Sequence, residues 1–116
     1  MAGLTEGFEA VVSNTIVHHI PEPAPALAEM VRLVASGGMV MVRDLARPTN
    51  LAELDRLVEL YAGRESEAAR ELFEASLHAA LTPGEVRQII EGLGLPGPGV
   101  SMTSDRHWTW AWHRPS

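Results

Sequence analysis

Ser13-Asn14-Thr15-Ile16-Val17-His18-His19-Ile20-Pro21-Glu22-Pro23, with the helical pattern behind it and the run Gly37-Gly38-Met39-Val40-Met41-Val42-Arg43-Asp44, decides the fold of this chain. Just upstream, Phe8-Glu9-Ala10-Val11-Val12-Ser13 is short and rich in valine, as a strand requires. Pro21, Pro23 and Pro25 then mark a helix start, where a missing N–H costs nothing. Leu27, Met30, Val31 and Val34 recur at helical spacing while Glu29 and Arg32 take other faces. The pattern predicts an amphipathic helix to about Ala35, ended by the glycine pair, since glycine readily adopts the conformation that closes a helix. Met39-Val40-Met41-Val42 has no polar alternation, which is the mark of a strand buried on both faces of a parallel sheet. Strand, helix and strand in succession give one right-handed βαβ crossover and an α/β fold.

Beyond Pro48 the helical period continues. Leu51, Leu54, Leu57, Val58 and Tyr61 form one stripe behind a cap at Thr49 or Asn50. After Gly63 a second helix is expected over 66–80, with Ala69, Leu72, Phe73, Ser76, Leu77 and Ala80 on its inner face. Thr82-Pro83-Gly84-Glu85 joins a capping hydroxyl, a first-turn proline and a glutamate three residues after the threonine. Val86, Ile89, Ile90 and Leu93 form the buried stripe of that helix. A rigid Leu95-Pro96-Gly97-Pro98-Gly99 loop leads to a terminal hairpin, with Val100-Ser101-Met102-Thr103 and His107-Trp108-Thr109-Trp110-Ala111-Trp112 turning at Ser104-Asp105-Arg106.

The 116 residues fit one small domain of ordinary globular composition, 46% hydrophobic and 21% charged. The net charge of −6, with arginine as the only basic residue type besides histidine, argues against a nucleic-acid surface. With no cysteine there is no disulfide, thiolate nucleophile or cysteine metal site. No signal-peptide pattern or membrane-length apolar run is present, so a cytoplasmic chain with no membrane partner is expected.

In an open parallel sheet, ligands sit beyond the carboxyl ends of the strands. Ser13, Asn14, Thr15, His18 and His19 follow the first strand, and Arg43, Asp44 and Arg47 follow the second, so two polar groups converge on one crevice. Either histidine could serve as a base near neutral pH, although a backbone-bonded histidine is the plainer reading of each. Adjacent histidines are poor ligands for one zinc ion, and His78, His107 and His113 add no ligand spacing, so no metal site is expected. Trp108, Trp110 and Trp112 alternate on one strand face, which favours packing over substrate stacking. Glu65, Glu67, Glu71 and Glu74 read as a solvated helix face.

These stretches, in this order, resemble the second half of a class I S-adenosylmethionine-dependent methyltransferase. Phe8 to Asn14 is similar to that family's fourth strand, and His18-His19-Ile20-Pro21-Glu22-Pro23 to the histidine-containing stretch of a small-molecule subgroup. Glu29 to Gly38 resembles the subgroup's helix and Pro-Gly-Gly turn, with Ser36 in place of the proline. Val42-Arg43-Asp44-Leu45-Ala46-Arg47-Pro48, Leu81 to Val86, and Ser104-Asp105-Arg106-His107-Trp108 continue the similarity to the end. The individual motifs are modest and their collinearity is the strong part.

The resemblance implies a partial Rossmann-like methyltransferase fold with one parallel βαβ unit, a helical segment and a C-terminal antiparallel strand pair. It implies S-adenosylmethionine as cofactor, with Ser13, Asn14 and Thr15 lining its methionine end. His18 and His19 would face the acceptor, and Asp44 and Arg47 would orient it. The family's glycine-rich loop and its acidic ribose and adenine residues have no counterpart here, and Gly97-x-Gly99 follows a helix and is no substitute. The expectation is therefore a domain lacking its N-terminal cofactor-binding strands. Ser13-Asn14-Thr15-Ile16 lacks the Asn/Asp-Pro-Pro-Tyr/Phe pattern of amide or adenine amino methylation, which favours a small-molecule acceptor. The alternative is a non-catalytic association module, or half of a split enzyme, that dimerises or meets a separate N-terminal half through the exposed edge of strand 8–13.

Overall fold

A computed structural model describes residues 7–14 and 20–116. Strand β1 (Phe8–Asn14) leads to helix α1 (Pro23–Leu33) and strand β2 (Val34–Leu45). Helices α2 (Leu51–Ala62), α3 (Glu67–Ala79) and α4 (Pro83–Gly92) follow. A 3₁₀ turn at Gly97–Gly99 then feeds the hairpin β3 (Val100–Met102) and β4 (His107–His113). The sheet order is β1-β2-β4-β3, with β1 parallel to β2 and both other pairings antiparallel. The expected βαβ unit, helical segment and antiparallel pair are all present.

Two separate apolar clusters hold these elements. On one face of the sheet Val40, Val42, Trp108 and Trp110 pack against Leu27 of α1 and Val86 and Ile90 of α4. The tryptophans are core residues, as their spacing suggested, with Trp112 packed at the margin. The second cluster joins Leu54, Leu57 and Val58 of α2 to Leu77 of α3 and Ala80, on Leu45 of β2. Leu45 and Ala46 are consecutive yet belong to different clusters, because successive strand residues point to opposite faces.

The helix starts follow the sequence closely. Asn50 caps α2 by accepting from the Glu53 N–H at 2.8 Å, and Ser66 caps α3 through the Ala69 N–H at 3.2 Å. Thr82 and Glu85 form the complete reciprocal capping box of α4.

Two expectations are corrected. Helix α1 stops at Leu33 and not near Ala35, and residues 34–38 already belong to β2. The stop is made from outside the helix. Arg114 donates from Nε to the Val34 carbonyl at 2.9 Å and from Nη2 to the Val31 carbonyl at 2.6 Å, which also accepts the Val34 N–H, so the last turn is braced by a charged donor. The glycine pair therefore has another use: β1 and β2 slip register between Phe8 and Ala10, and Gly38 is where they crowd. A Cβ there would lie 2.7 Å from the Glu9 carbonyl oxygen and 2.9 Å from that of Ala35. The second correction concerns α3, where Leu72 faces solvent at 67% exposure and Phe73 and Leu77 carry the contact. The period was right, but the stripe is narrower than it looked.

Candidate functional site

Parallel pairing puts the carboxyl ends of β1 and β2 at the same side, and antiparallel β4 brings its beginning there. Ser13 pairs with Val42, Asn14 with Arg43, Arg43 with Thr109, Asp44 with Trp108 and Leu45 with His107. Strand alternation then sorts these residues by face. Ser13 and Asp44 point to the side covered by α1 and α4, while Asn14, Arg43, Thr109 and His107 share the opposite side.

On the covered side, Asp44 is 1% exposed and its Oδ1 accepts the Leu45 N–H at 2.7 Å. The Ser13 hydroxyl is buried with no hydrogen-bond partner among the described residues. Arg47 turns away from both. It pairs with Glu85 at 3.0 Å, and its backbone N–H donates to the Leu81 carbonyl at 3.1 Å, fastening the β2 exit to the start of α4. Of the sequence-predicted residues, Ser13 and Asp44 thus share one face of the strand ends, Asn14 lies on the other, and Arg47 stands apart in a structural ion pair. Thr15, His18 and His19 lie outside the described residues.

The opposite side holds a cluster that the sequence reading did not assemble. His107 is 8% exposed, and its Nδ1 lies 2.8 Å from the Ser104 hydroxyl and 3.4 Å from Arg43 Nη2. A guanidinium can only donate, so Nδ1 is the acceptor and the ring proton sits on Nε2. Burial, reinforced by the Arg43 and Arg106 charges, holds the imidazole below its ordinary pKa of 6.5 and keeps it neutral. The signal was legible in the tryptophan alternation. If Trp108, Trp110 and Trp112 face the core, His107 and Thr109 must face the other way, on the side of Arg43.

The turn carrying Ser104 is anchored to α2. The Tyr61 hydroxyl donates to Asp105, Arg106 stacks over the Tyr61 ring at 3.7 Å, and Arg106 pairs with Asp105 at 3.0 Å. A cleft of about 780 Å³ lies elsewhere, between α2 and α3, and Glu59, Glu65, Glu67, Glu71 and Glu74 dominate its lining. It is an open, acidic helix surface remote from the strand ends. Among the described residues no group of three or more metal-binding side chains comes together, and no helix is long and apolar enough to cross a membrane.

A family model described as a methyltransferase domain matches residues 4–42. Two solved structures share the fold of nearly all the chain. The plantazolicin methyltransferase BamL, in complex with a triazolic desmethylPZN analog and SAH, superposes with a TM-score of 0.63 at 17% identity over 83% of this chain. BpumL, a plantazolicin methyltransferase with the same ligands, gives 0.66 at 11% identity over 96%. The chain has the fold of part of a class I methyltransferase. The family match takes in β1, α1 and most of β2, whereas the assignment from α2 onward rests on the methyltransferase fold itself. The chain spans 34% of the first methyltransferase and 54% of the second. No characterised protein matches its sequence significantly.

Proposed function

We propose that this chain supplies the acceptor-facing half of an enzyme that moves a methyl group from S-adenosylmethionine to a small-molecule acceptor. One observation carries the reading: the methyltransferase family match falls on β1-α1-β2, the unit whose strand ends bear Ser13, Asn14 and Arg43. The presence of SAH in both structural relatives supports the choice of cofactor. The unpartnered Ser13 hydroxyl at the end of β1 fits a polar group of that cofactor, which would use its free donor and acceptor. Ser13, Asn14 and Thr15 would hold the methionine end.

The cofactor supplies a sulfonium methyl, and the chain's part is to hold the acceptor's nucleophilic atom in line with it. His18 or His19 takes the acceptor's proton where one is released. Asp44 acts from within by holding the Leu45 backbone, and Arg47 by fixing the β2–α4 junction, so both position the site. The grip on the rest of the cofactor is shared with a complementary half, on the same polypeptide or another. The chain works as a cytoplasmic protein in this reading.

Calorimetry of the 116 residues with S-adenosylmethionine tests the reading. We expect binding weaker than micromolar until a complementary half is supplied. Micromolar binding by the chain alone overturns the shared grip, and no binding after complementation overturns the methyltransferase assignment.

A second reading, association without catalysis, is favoured by the edge position of β1, where Phe8 and Val12 are 59% and 57% exposed. Open apolar edges recruit other strands. Light scattering after size exclusion decides it, because a chain that stays monomeric at high concentration is not joined through this edge.

A further inference from the structure

We propose that Arg43, His107 and Ser104 form a subsite for an anionic oxygen group, a carboxylate or a phosphate, on the molecule that binds at this end of the sheet. The identification of that molecule as the methyl acceptor rests on the function proposed above, while the subsite itself rests on geometry.

The first observation is a comparison among the arginines. Arg43, Arg47, Arg70, Arg106 and Arg114 are half-buried. Four of them meet an oxygen: Arg47 pairs with Glu85, Arg70 with Glu59, Arg106 with Asp105, and Arg114 binds two carbonyls. Arg43 alone among these has no oxygen partner among the described residues, and its one polar contact is His107 Nδ1 at 3.4 Å. A guanidinium carries five N–H donors, and those of Arg43 that the protein leaves unused are not among its buried unpartnered atoms, so they stay open to a ligand. No carboxylate among the described residues forms an ion pair with it. Asp44 points to the other face of the strand, and Asp105 is committed to Tyr61 and Arg106.

The second observation is the state of His107. Arg43 and Ser104 both address Nδ1, which leaves Nε2–H as a donor with no partner among the described residues. The residue is 8% exposed, and Nε2 is not among the buried polar atoms that lack a partner, so the ring is held by its surroundings while this donor stays open to a ligand. A fixed N–H and a planar fork of N–H groups on adjacent strands form a two-armed recognition site for a carboxylate or phosphate. Asn14 and Thr109 flank Arg43 in register on either side, and Ser104 holds the imidazole in position. Because the imidazole presents a proton, its part is to bind and orient, not to abstract.

The test uses the full 116-residue chain without cofactor. Ring ¹H–¹⁵N signals of His107 are followed while sodium acetate or inorganic phosphate is added, with sodium chloride at matched ionic strength as reference. The His107 signals should move saturably with acetate, with phosphate or with both, and not with chloride. Saturation by one anion only identifies its class. Arg43→Gln should weaken the response by about tenfold or more, as expected for losing a charge-assisted pair. Arg43→Lys, a milder change, should weaken it less, since charge remains without the fork. His107→Gln, which keeps an N–H, should retain part of the Arg43 side-chain response. Arg32→Gln, on the exposed face of α1, should change nothing. An equal response to chloride, or one unaltered in both Arg43 variants, overturns the subsite. A complemented enzyme that transfers methyl but shows no anion response also refutes the subsite alone. Anion binding without any methyl transfer refutes the acceptor assignment instead.

Discussion

The same chemical change, glycine to alanine, should have opposite effects at Gly38 and Gly92. At Gly38 the new methyl would sit 2.7 Å from the Glu9 carbonyl oxygen, 2.9 Å from the Ala35 carbonyl oxygen and 2.9 Å from a methyl of Val34. Two of these three neighbours are backbone, on two strands whose register is already interrupted there, so those two cannot swing aside. Overpacking of this kind costs about 2 kcal/mol. At Gly92, the last residue of α4, nothing lies within 4 Å of the added methyl. The change then acts through helix propensity and the unfolded chain, and should stabilise by about 0.5–1 kcal/mol. With a urea slope of about 1.5 kcal/mol per molar, Gly38→Ala should lower the unfolding midpoint by roughly 1.3 M and Gly92→Ala raise it by roughly 0.5 M. Equilibrium urea unfolding followed by tryptophan fluorescence reads both, since Trp108 and Trp110 sit in the main core. Midpoints that move in the same direction, or a Gly38→Ala midpoint within about 0.2 M of the parent, would refute the claim that close strand approach is what requires glycine at 38.

Three further outcomes follow from side-chain partners. The Thr82 backbone N–H and then Arg47 hold Glu85 below its ordinary pKa of 4.5, so its contribution is full above that value and is lost as the pH falls through the lowered one. Thermal melts of the parent and Glu85→Gln should therefore differ near neutral pH and converge in acid. His107 is also held down, from 6.5, so the unfolded chain binds the proton more readily and stability should fall as the pH drops below about 6.5. His107→Gln should flatten that part of the pH profile, and an unchanged slope would mean that the ring is not buried as described. Arg114→Met should cost about 1.5–3 kcal/mol, because it strips two carbonyls of a charged donor, and hydrogen exchange should quicken in the last turn of α1.

Local rules made most of the architecture readable in the sequence. Thr82 and Glu85 announced α4, and the unbroken apolar run before Arg43 announced an interior strand, because each feature depends on neighbours a few residues away. What escaped reading depends on distant partners. The end of α1 is set by Arg114, some eighty residues downstream, and no local pattern at Ala35 or Gly37 could report it. The glycine pair looked like a helix stop because glycine has more than one use, and only the neighbouring strand shows which applies. For the site, the crevice rule directed attention to the end of the first strand, where Asn14 stands beside Arg43. The His107 cluster required the β2–β4 register, which pairs Arg43 with Thr109 and Leu45 with His107 across the intervening helices. Asp44 and Arg47 were grouped by proximity in sequence, and strand alternation together with the Glu85 pair separates them.

The step from Leu45 to Ala46 has a consequence for how the molecule comes apart. Helices α2 and α3 rest on a cluster that meets the sheet through Leu45, while the tryptophan core lies behind the sheet and shares no buried residue with it. Tyr61 and Arg106 add a clasp at the surface, of a strength that solvent and salt reduce. Two cooperative units of unequal stability are therefore built into one short chain. Amides of α3 should exchange through a partial opening that leaves the sheet intact, and those of β2 and β4 only when the whole domain melts. Because Tyr61 ties α2 to the turn that holds His107, an opening of the helical pair would also loosen the arginine and histidine at the strand ends.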